Sequence, residues 1–161
     1  MSRDLPTVVI ADLDSTLCRT EHRWALADEA LMSGNWDAYS MQCIDDEPIV
    51  GSITTLRLLY PYHRIHICSG RSIVAMENTK LWFEHLKFKP DEIKMYDRKE
   101  WESKPSNGAI KTTYIKELRT RGYNVVLFLE DWPETATAIE ELGVPVLCIN
   151  PRYKEPLTNH L

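Results

Sequence analysis

Five short apolar runs punctuate the chain, and between them apolar residues recur at three- and four-residue steps. Residues 7–11, 64–68, 93–96, 125–129 and 146–149 read as strands. The first joins Val8, Val9 and Ile10 to Ala11, and such a β-branched run predicts a strand buried on both faces, as in parallel sheets covered by helices. Helical spacing appears in Ile49, Ile53, Leu56 and Tyr60 after Pro48 and before Pro61. It recurs in Ala75, Trp82, Phe83 and Leu86, predicting a long helix that opens at Ser72 and ends near Phe88. Ile110, Tyr114, Ile115 and Leu118 form a third such set, closed by Gly122, and 135–142 a shorter fourth, stopped by Gly143. Strands alternating with helices predict an α/β fold, a doubly wound and mostly parallel sheet with flanking helices. We expect one domain over 1–161, with its core at about 7–150 and a polar tail over 151–161.

One segment breaks the alternation. Residues 18–47 are polar and aromatic, with a helix expected over 22–32 through Trp24, Leu26, Ala27, Ala30 and Leu31, broken at Gly34, and a loop over 35–39. About thirty residues is long for a strand-to-helix connection, and long loops at that edge are commonly functional, so a small flap or minimal cap is predicted. Trp24, Trp36 and Tyr39 are its candidate stacking surfaces for a base; packing of the flap onto the core is the plainer use of the same rings.

Composition narrows the class. The apolar and charged fractions, 43% and 27%, are those of an ordinary globular protein. No apolar run approaches the ~18 residues of a membrane span, and Met1-Ser2-Arg3-Asp4 does not open like a signal peptide, so a cytoplasmic location is expected. Cys18, Cys43, Cys68 and Cys148 lack CxxC spacing and suit free thiols in a reducing compartment. The net charge of −5 hides an asymmetry: residues 62–122 carry 13 Lys and Arg against 8 Asp and Glu, while the rest carries −10. Solvated helix faces explain this, as does a local basic surface for a polyanion. The overall acidity argues against a protein that coats long nucleic acid but is compatible with a mononucleotide or a short end.

The candidate chemistry lies at the predicted strand ends. Asp12 and Asp14 close the first strand with no basic neighbour, and two such acids call for a cation; a hard divalent metal such as Mg2+ suits carboxylate oxygens. Ser69 and Arg71 end the second strand, Glu130 and Asp131 the fourth, and Lys111 begins the helix before it. Singly, each has a bland reading: Ser69 as a helix cap, Asp131 with Glu134 as a capping box, Lys111 as an exposed lysine, Arg71 paired with a surface acid. Parallel topology, however, gathers them on one rim of the sheet, where open α/β folds bind ligands.

This set resembles the haloacid dehalogenase superfamily of phosphotransferases. Its DxDx[TS] motif matches Asp12-Leu13-Asp14-Ser15-Thr16, its second-strand Ser or Thr matches Ser69, its Lys matches Lys111, and its acidic pair matches Glu130-Asp131. Within the superfamily the chain is most similar to the 3′-phosphatase domain of polynucleotide kinase-phosphatases, through Trp36-Asp37, Asp46-Glu47-Pro48, Ser69-Gly70-Arg71 and Arg98 ahead of Lys111. It departs in having Glu-Asp where Asp-Asp is usual, and it has no G-x-x-x-x-G-K-[ST] phosphate loop. The resemblance implies a HAD-like fold and a Mg2+-dependent phosphatase. Asp12 would be the nucleophile, Asp14 the general acid and base, and Ser69 and Lys111 the holders of the phosphoryl oxygens. The metal would be held by Asp12, the backbone carbonyl of Asp14 and Asp131, with Glu130 bound through water. Gly70, Arg71, Arg98, Trp36 and Tyr39 would contact substrate, a nucleotide or a nucleic-acid 3′-phosphate end. A 5′-nucleotidase or small-metabolite phosphatase is the alternative among enzymes; a receiver-like signalling domain phosphorylated at Asp97 is the one outside them. Nothing in the sequence points to a membrane or a protein partner.

Overall fold

The computed structural model describes residues 5–103 and 106–149. Five strands, β1 (Thr7–Ala11), β4 (Arg64–Ser72), β5 (Glu92–Tyr96), β6 (Asn124–Glu130) and β7 (Val146–Cys148), form a sheet in the order β5-β4-β1-β6-β7, with every neighbouring pair parallel. The chain therefore builds outward from β1 through β4 to β5, then returns to lay β6 and β7 on its other side. That reversal puts a topological switch point at the carboxyl end of β1.

Alternation along β1 explains why helices cover both faces. Val9 and Ala11 pack into a cluster with Ile53 and Leu56 of α3 (Val50–Leu59) and Trp82 and Phe83 of α4 (Met76–His85). Val8 and Ile10 point to the other side, among Ile110, Tyr114 and Leu118 of α6 (Asn107–Thr120) and Ile139 of α7 (Pro133–Glu140). Gly108 lies where α6 meets α7, and a Cβ there would touch that of Ala138 at 3.4 Å.

The structure redraws several predicted elements. β4 runs on to Ser72, and a 3-10 turn (Ile73–Ala75) precedes α4, so the helix begins later than its apolar spacing suggests. The excursion holds a 3-10 turn (Glu21–Arg23), α1 (Ala25–Ser33) and α2 (Asp37–Met41), the last standing where a loop was expected. Asn35 favours that helix start, its Oδ1 accepting from the Asp37 N–H at 3.0 Å. The two ends of the excursion are zipped by β2 (Cys18–Arg19) and β3 (Glu47–Pro48), an antiparallel pair too short to show in the sequence pattern. The polar stretch after β5 opens with α5 (Arg98–Ser103), while the predicted tail 151–161 lies outside the described residues. Cys18, Cys43, Cys68 and Cys148 are free, the first three buried. Among the described residues, no helix is long and apolar enough to cross a membrane.

α4 ends in a Schellman motif with an unusual occupant. The Phe88 N–H donates to Phe83 O (3.1 Å), that of Lys87 to Glu84 O (2.9 Å), and Lys87 takes the left-handed position with φ 51°. A side chain there costs roughly 1 kcal/mol that glycine avoids. Lys87→Gly should raise Tm by about 2–4 °C in a thermal melt, because Lys87 is exposed and only its backbone strain is relieved. An unchanged or lower Tm contradicts this account of the cap.

Candidate active site

Asp12 follows β1 with its backbone N–H donating to Leu129 O of β6 (3.0 Å), which fixes it at the sheet edge. Its carboxylate is almost buried, and Lys111 Nζ stands 3.2 Å from Oδ1 and donates to Glu130 Oε2 at 2.5 Å. Burial, with the nearby carboxylates of Glu130, Asp131 and Asp14, outweighs Lys111 and pushes the Asp12 carboxyl up to about 8. Lys111 is itself buried, yet the two acids hold its ammonium above the ordinary lysine range against that desolvation. Its place one turn into α6 follows from Ser106, whose side chain accepts from the Ala109 N–H and caps the helix.

The acidic pair divides into unlike members. Glu130 is fully buried; Oε1 accepts from the backbone N–H groups of Asp131 and Trp132, both at 3.1 Å, and Oε2 takes Lys111. Asp131 is half-buried, and Thr16 Oγ1 donates to its Oδ1 at 3.2 Å. Oxygens of Asp12, Glu130 and Asp131 lie within 4.8 Å of one another, a hard, all-oxygen donor set carrying more negative charge than one lysine balances. Such a set fits a divalent cation of the Mg2+ type.

Asp14 faces a different environment. The turn that carries it passes through Ser15 at φ 66° and is closed by Ser15 N–H to Cys18 O (2.9 Å). Arg23 Nη2 donates to Asp14 Oδ1 at 2.8 Å, and Arg71 Nη2 donates to the same oxygen. Burial opposes the charge on Asp14, but the two guanidiniums overcome it and hold the carboxyl at about 2. Asp46 completes the cluster, accepting from Arg23 Nε (2.9 Å) and Nη2 (2.7 Å), Arg71 Nη2 (3.0 Å) and Cys18 Sγ (3.2 Å), with His22 Nε2 2.8 Å away. Asp14, Cys18 and Asp46 also lie close enough to share an ion, but two arginines already neutralise their two carboxylates.

A cleft of about 780 Å³ opens over these groups, lined by Asp12, Asp14, Ser69, Gly70, Arg71, Lys111, Glu130 and Asp131, and by Trp36 and Tyr39 from the excursion. Ser69 is buried, its Oγ accepting from the Arg71 N–H (3.2 Å), which leaves the hydroxyl hydrogen for a ligand. Arg71 lines the cleft yet is only 4% exposed, and its guanidinium holds Asp14, Asp46 and Thr79 Oγ1 (3.0 Å). Buried carboxylates attract it more strongly than solvent does. The side chain of Arg98 lies outside the described residues. Tyr39 packs its ring against the Arg23 guanidinium, 4.3 Å away, and meets Trp36 edge-to-face at 5.3 Å. Asp97 does not line the cleft; its Oδ1 accepts from the Glu100 N–H (2.8 Å) and caps α5.

Arg23 and Asp46 are prominent here yet were not among the predicted site residues. Arg23 sits in a polar stretch where an arginine reads as solvated, and Asp46 is legible only as part of the turn before Pro48. Of the basic residues in 62–122, Arg71 and Lys111 are buried in the site, and Arg121 and Lys80 pair with Glu92 and Glu77.

No family model matches the chain, and no curated protein matches it. Solved structures do. A chain of the Pnkp1/Rnl/Hen1 complex superposes with TM-score 0.73 and 22% identity over 91% of this chain and 46% of its own length. The class C acid phosphatase of Bacillus anthracis gives TM-score 0.64 and 17% identity over 94% and 69%. A haloacid dehalogenase-like hydrolase of Streptococcus pneumoniae gives 0.60 and 14% over 89% and 84%. The chain thus has the fold of haloacid dehalogenase-like hydrolases and spans less than half the length of the Pnkp1 complex chain.

The buried cluster gives a direct test. Asp46→Asn keeps shape but leaves Arg23 and Arg71 short of one negative charge, and breaking a buried ion pair typically costs about 3–5 kcal/mol. A Tm lowered by roughly 6–20 °C is expected. A melt matching wild type would mean that Asp46 contributes no such charge balance.

Proposed function

We propose that this chain is a Mg2+-dependent phosphomonoesterase working through an aspartyl-phosphate, with a nucleotide or a nucleic-acid 3′-phosphate end as substrate. One observation carries the reading: Asp12, Ser69, Lys111, Glu130 and Asp131 line a single cleft at the switch point of the sheet. The likeness to the Pnkp1 complex chain, whose complex is described as one of RNA repair, and to an acid phosphatase supports the choice of reaction and substrate class.

Asp12, the backbone carbonyl of Asp14 and Asp131 would hold Mg2+. Glu130 stands at one remove, because Lys111 and two backbone N–H groups already occupy its oxygens. When bound, the ion screens the carboxylates from an entering phosphate dianion. Asp12 attacks phosphorus in line, and the P–O bond to the leaving alcohol breaks as the acyl-phosphate forms. Ser69 Oγ–H and Lys111 Nζ hold the equatorial oxygens, where charge gathers in a loose transition state.

Asp14 has the more delicate task. Held near pH 2 by Arg71 and Arg23, it is anionic before substrate arrives. A phosphate dianion entering beside it adds negative charge that favours uptake of a proton from solvent by Asp14, and that proton goes to the leaving oxygen as its bond to phosphorus breaks. With the alcohol gone, the carboxylate is again a base and takes a proton from the water that opens the aspartyl-phosphate. The two arginines keep it aimed through both steps.

Asp12→Asn should abolish release of phosphate from thymidine 3′-phosphate by several orders of magnitude, while circular dichroism and Tm stay near wild type. Near wild-type kcat in that variant would end the mechanism. Turnover should also fail in chelator and return with Mg2+, with Ca2+ a poor substitute because it tends to take both oxygens of a carboxylate.

A third outcome follows from the Asp12 carboxyl lying near pH 8 without a cation. Below that pH the site holds a proton that Mg2+ must displace, so Mg2+ affinity should rise with pH up to about 8. Calorimetric titration at pH 6.5 and 8.5 in buffers of different ionisation enthalpy measures this. Equal affinity with no proton release would contradict it.

A further inference from the structure

The cleft does not end at the acids. Trp132 and Asn107 line both the cleft and a second hollow of about 540 Å³, which runs between α6 and α7 past Ser106, Thr112 and Lys116. Trp132 is 53% exposed, and its backbone is tied to the site by the N–H that it donates to Glu130 Oε1. Pro133 then fixes the start of α7 directly behind it. The indole is thus a large aromatic surface held on a short tether, one residue from the acidic pair.

The sheet order separates it from the other cleft aromatics. Trp36 and Tyr39 belong to the excursion, which is pinned on the β4 side by Ser72 Oγ donating to Asp37 (2.6 Å). Trp132 leaves β6, the opposite neighbour of β1. Tyr39 is covered by Arg23 and meets Trp36 edge-to-face, while Trp36 keeps part of its surface exposed on the cleft. The α6–α7 hollow sets Lys116 against Glu134 and Glu141, a mixed lining that suits an uncharged heterocycle with polar edges better than a row of phosphates.

We propose that Trp132 is the base-recognition residue of this site: the base of the nucleotide bearing the scissile phosphate stacks on its indole, at the mouth of the α6–α7 hollow. This rests on the phosphomonoesterase reading above and extends it to one side of the cleft. Anchoring a base there orients the leaving oxygen toward Asp14, and stacking tolerates every base because each has an aromatic face.

The test compares thymidine 3′-phosphate with 2-deoxyribose 3-phosphate, which has the same sugar phosphate and no base. In Trp132→Ala, the ratio of kcat/KM for the nucleotide over the sugar phosphate should fall roughly tenfold, mainly through KM for the nucleotide. Trp132→Phe, which keeps an aromatic face, should recover most of that ratio. Thymidine 3′-phosphate added to Asp12→Asn should quench tryptophan emission, and the quench should vanish when Trp132→Phe is added. If Trp132→Ala turns over both substrates at the wild-type ratio, base recognition by Trp132 is wrong and the phosphomonoesterase reading stands. If the wild-type protein turns over neither, the functional reading itself has failed, and this inference with it.

Discussion

Asp12 and Asp14 stand two residues apart at the end of one buried strand, and neutralising both charges sets the demand that the surrounding elements meet. The two solutions differ. Asp12 has a single buried lysine that it shares with Glu130, and its carboxyl remains far above the ordinary range, near pH 8. Asp14 has two arginines and lies far below it, at about 2. One acid is left short of positive charge and the other is supplied in full, so the first suits a cation beside it and the second stays a carboxylate.

The full supply to Asp14 explains the excursion. Arg23 comes from its first turn and Asp46 from its end, so the segment closes on itself through β2, β3 and the Arg23–Asp46 pair before it can hold Asp14. Trp82 of α4 reinforces the closure from the core, its indole N–H donating to Asp46 O at 2.7 Å. Buried ion pairs are costly to assemble and contribute little net stability. Here two acids and two arginines reach local neutrality and fix the direction of one carboxylate, which better accounts for burying them beside a cleft.

Much of this was legible in the chain, and the parts that were not share a cause. The five strands, the parallel sheet and the gathering of Asp12, Asp14, Ser69, Lys111, Glu130 and Asp131 at one edge follow from local apolar runs and from where parallel strands must end. Periodicity cannot find β2 and β3, two residues each and held by a contact some thirty residues apart in sequence. Nor can it reveal that Arg23 and Arg71 are buried, because an arginine's partner is set by tertiary structure. The same limit explains α4, whose apolar spacing starts at Ala75 while Ser72 still pairs with Tyr96 in the sheet.

The one departure from the usual acidic pair also has a physical reading. A glutamate at position 130 has the reach to curl back, so that Oε1 accepts two successive backbone N–H groups while Oε2 meets Lys111. An aspartate, one methylene shorter, reaches less far from the same Cα. Glu130 therefore clamps the turn that starts α7, fixes the lysine, and leaves Asp131 as the more accessible acid. The clamp also fixes the backbone of Trp132, because the second of those N–H groups is its own. The carboxylate that tunes the charge of the site and the indole at its mouth are thus joined by one hydrogen bond. Lengthening the side chain at position 130 turns an acid of the cluster into a support for the wall of the cleft.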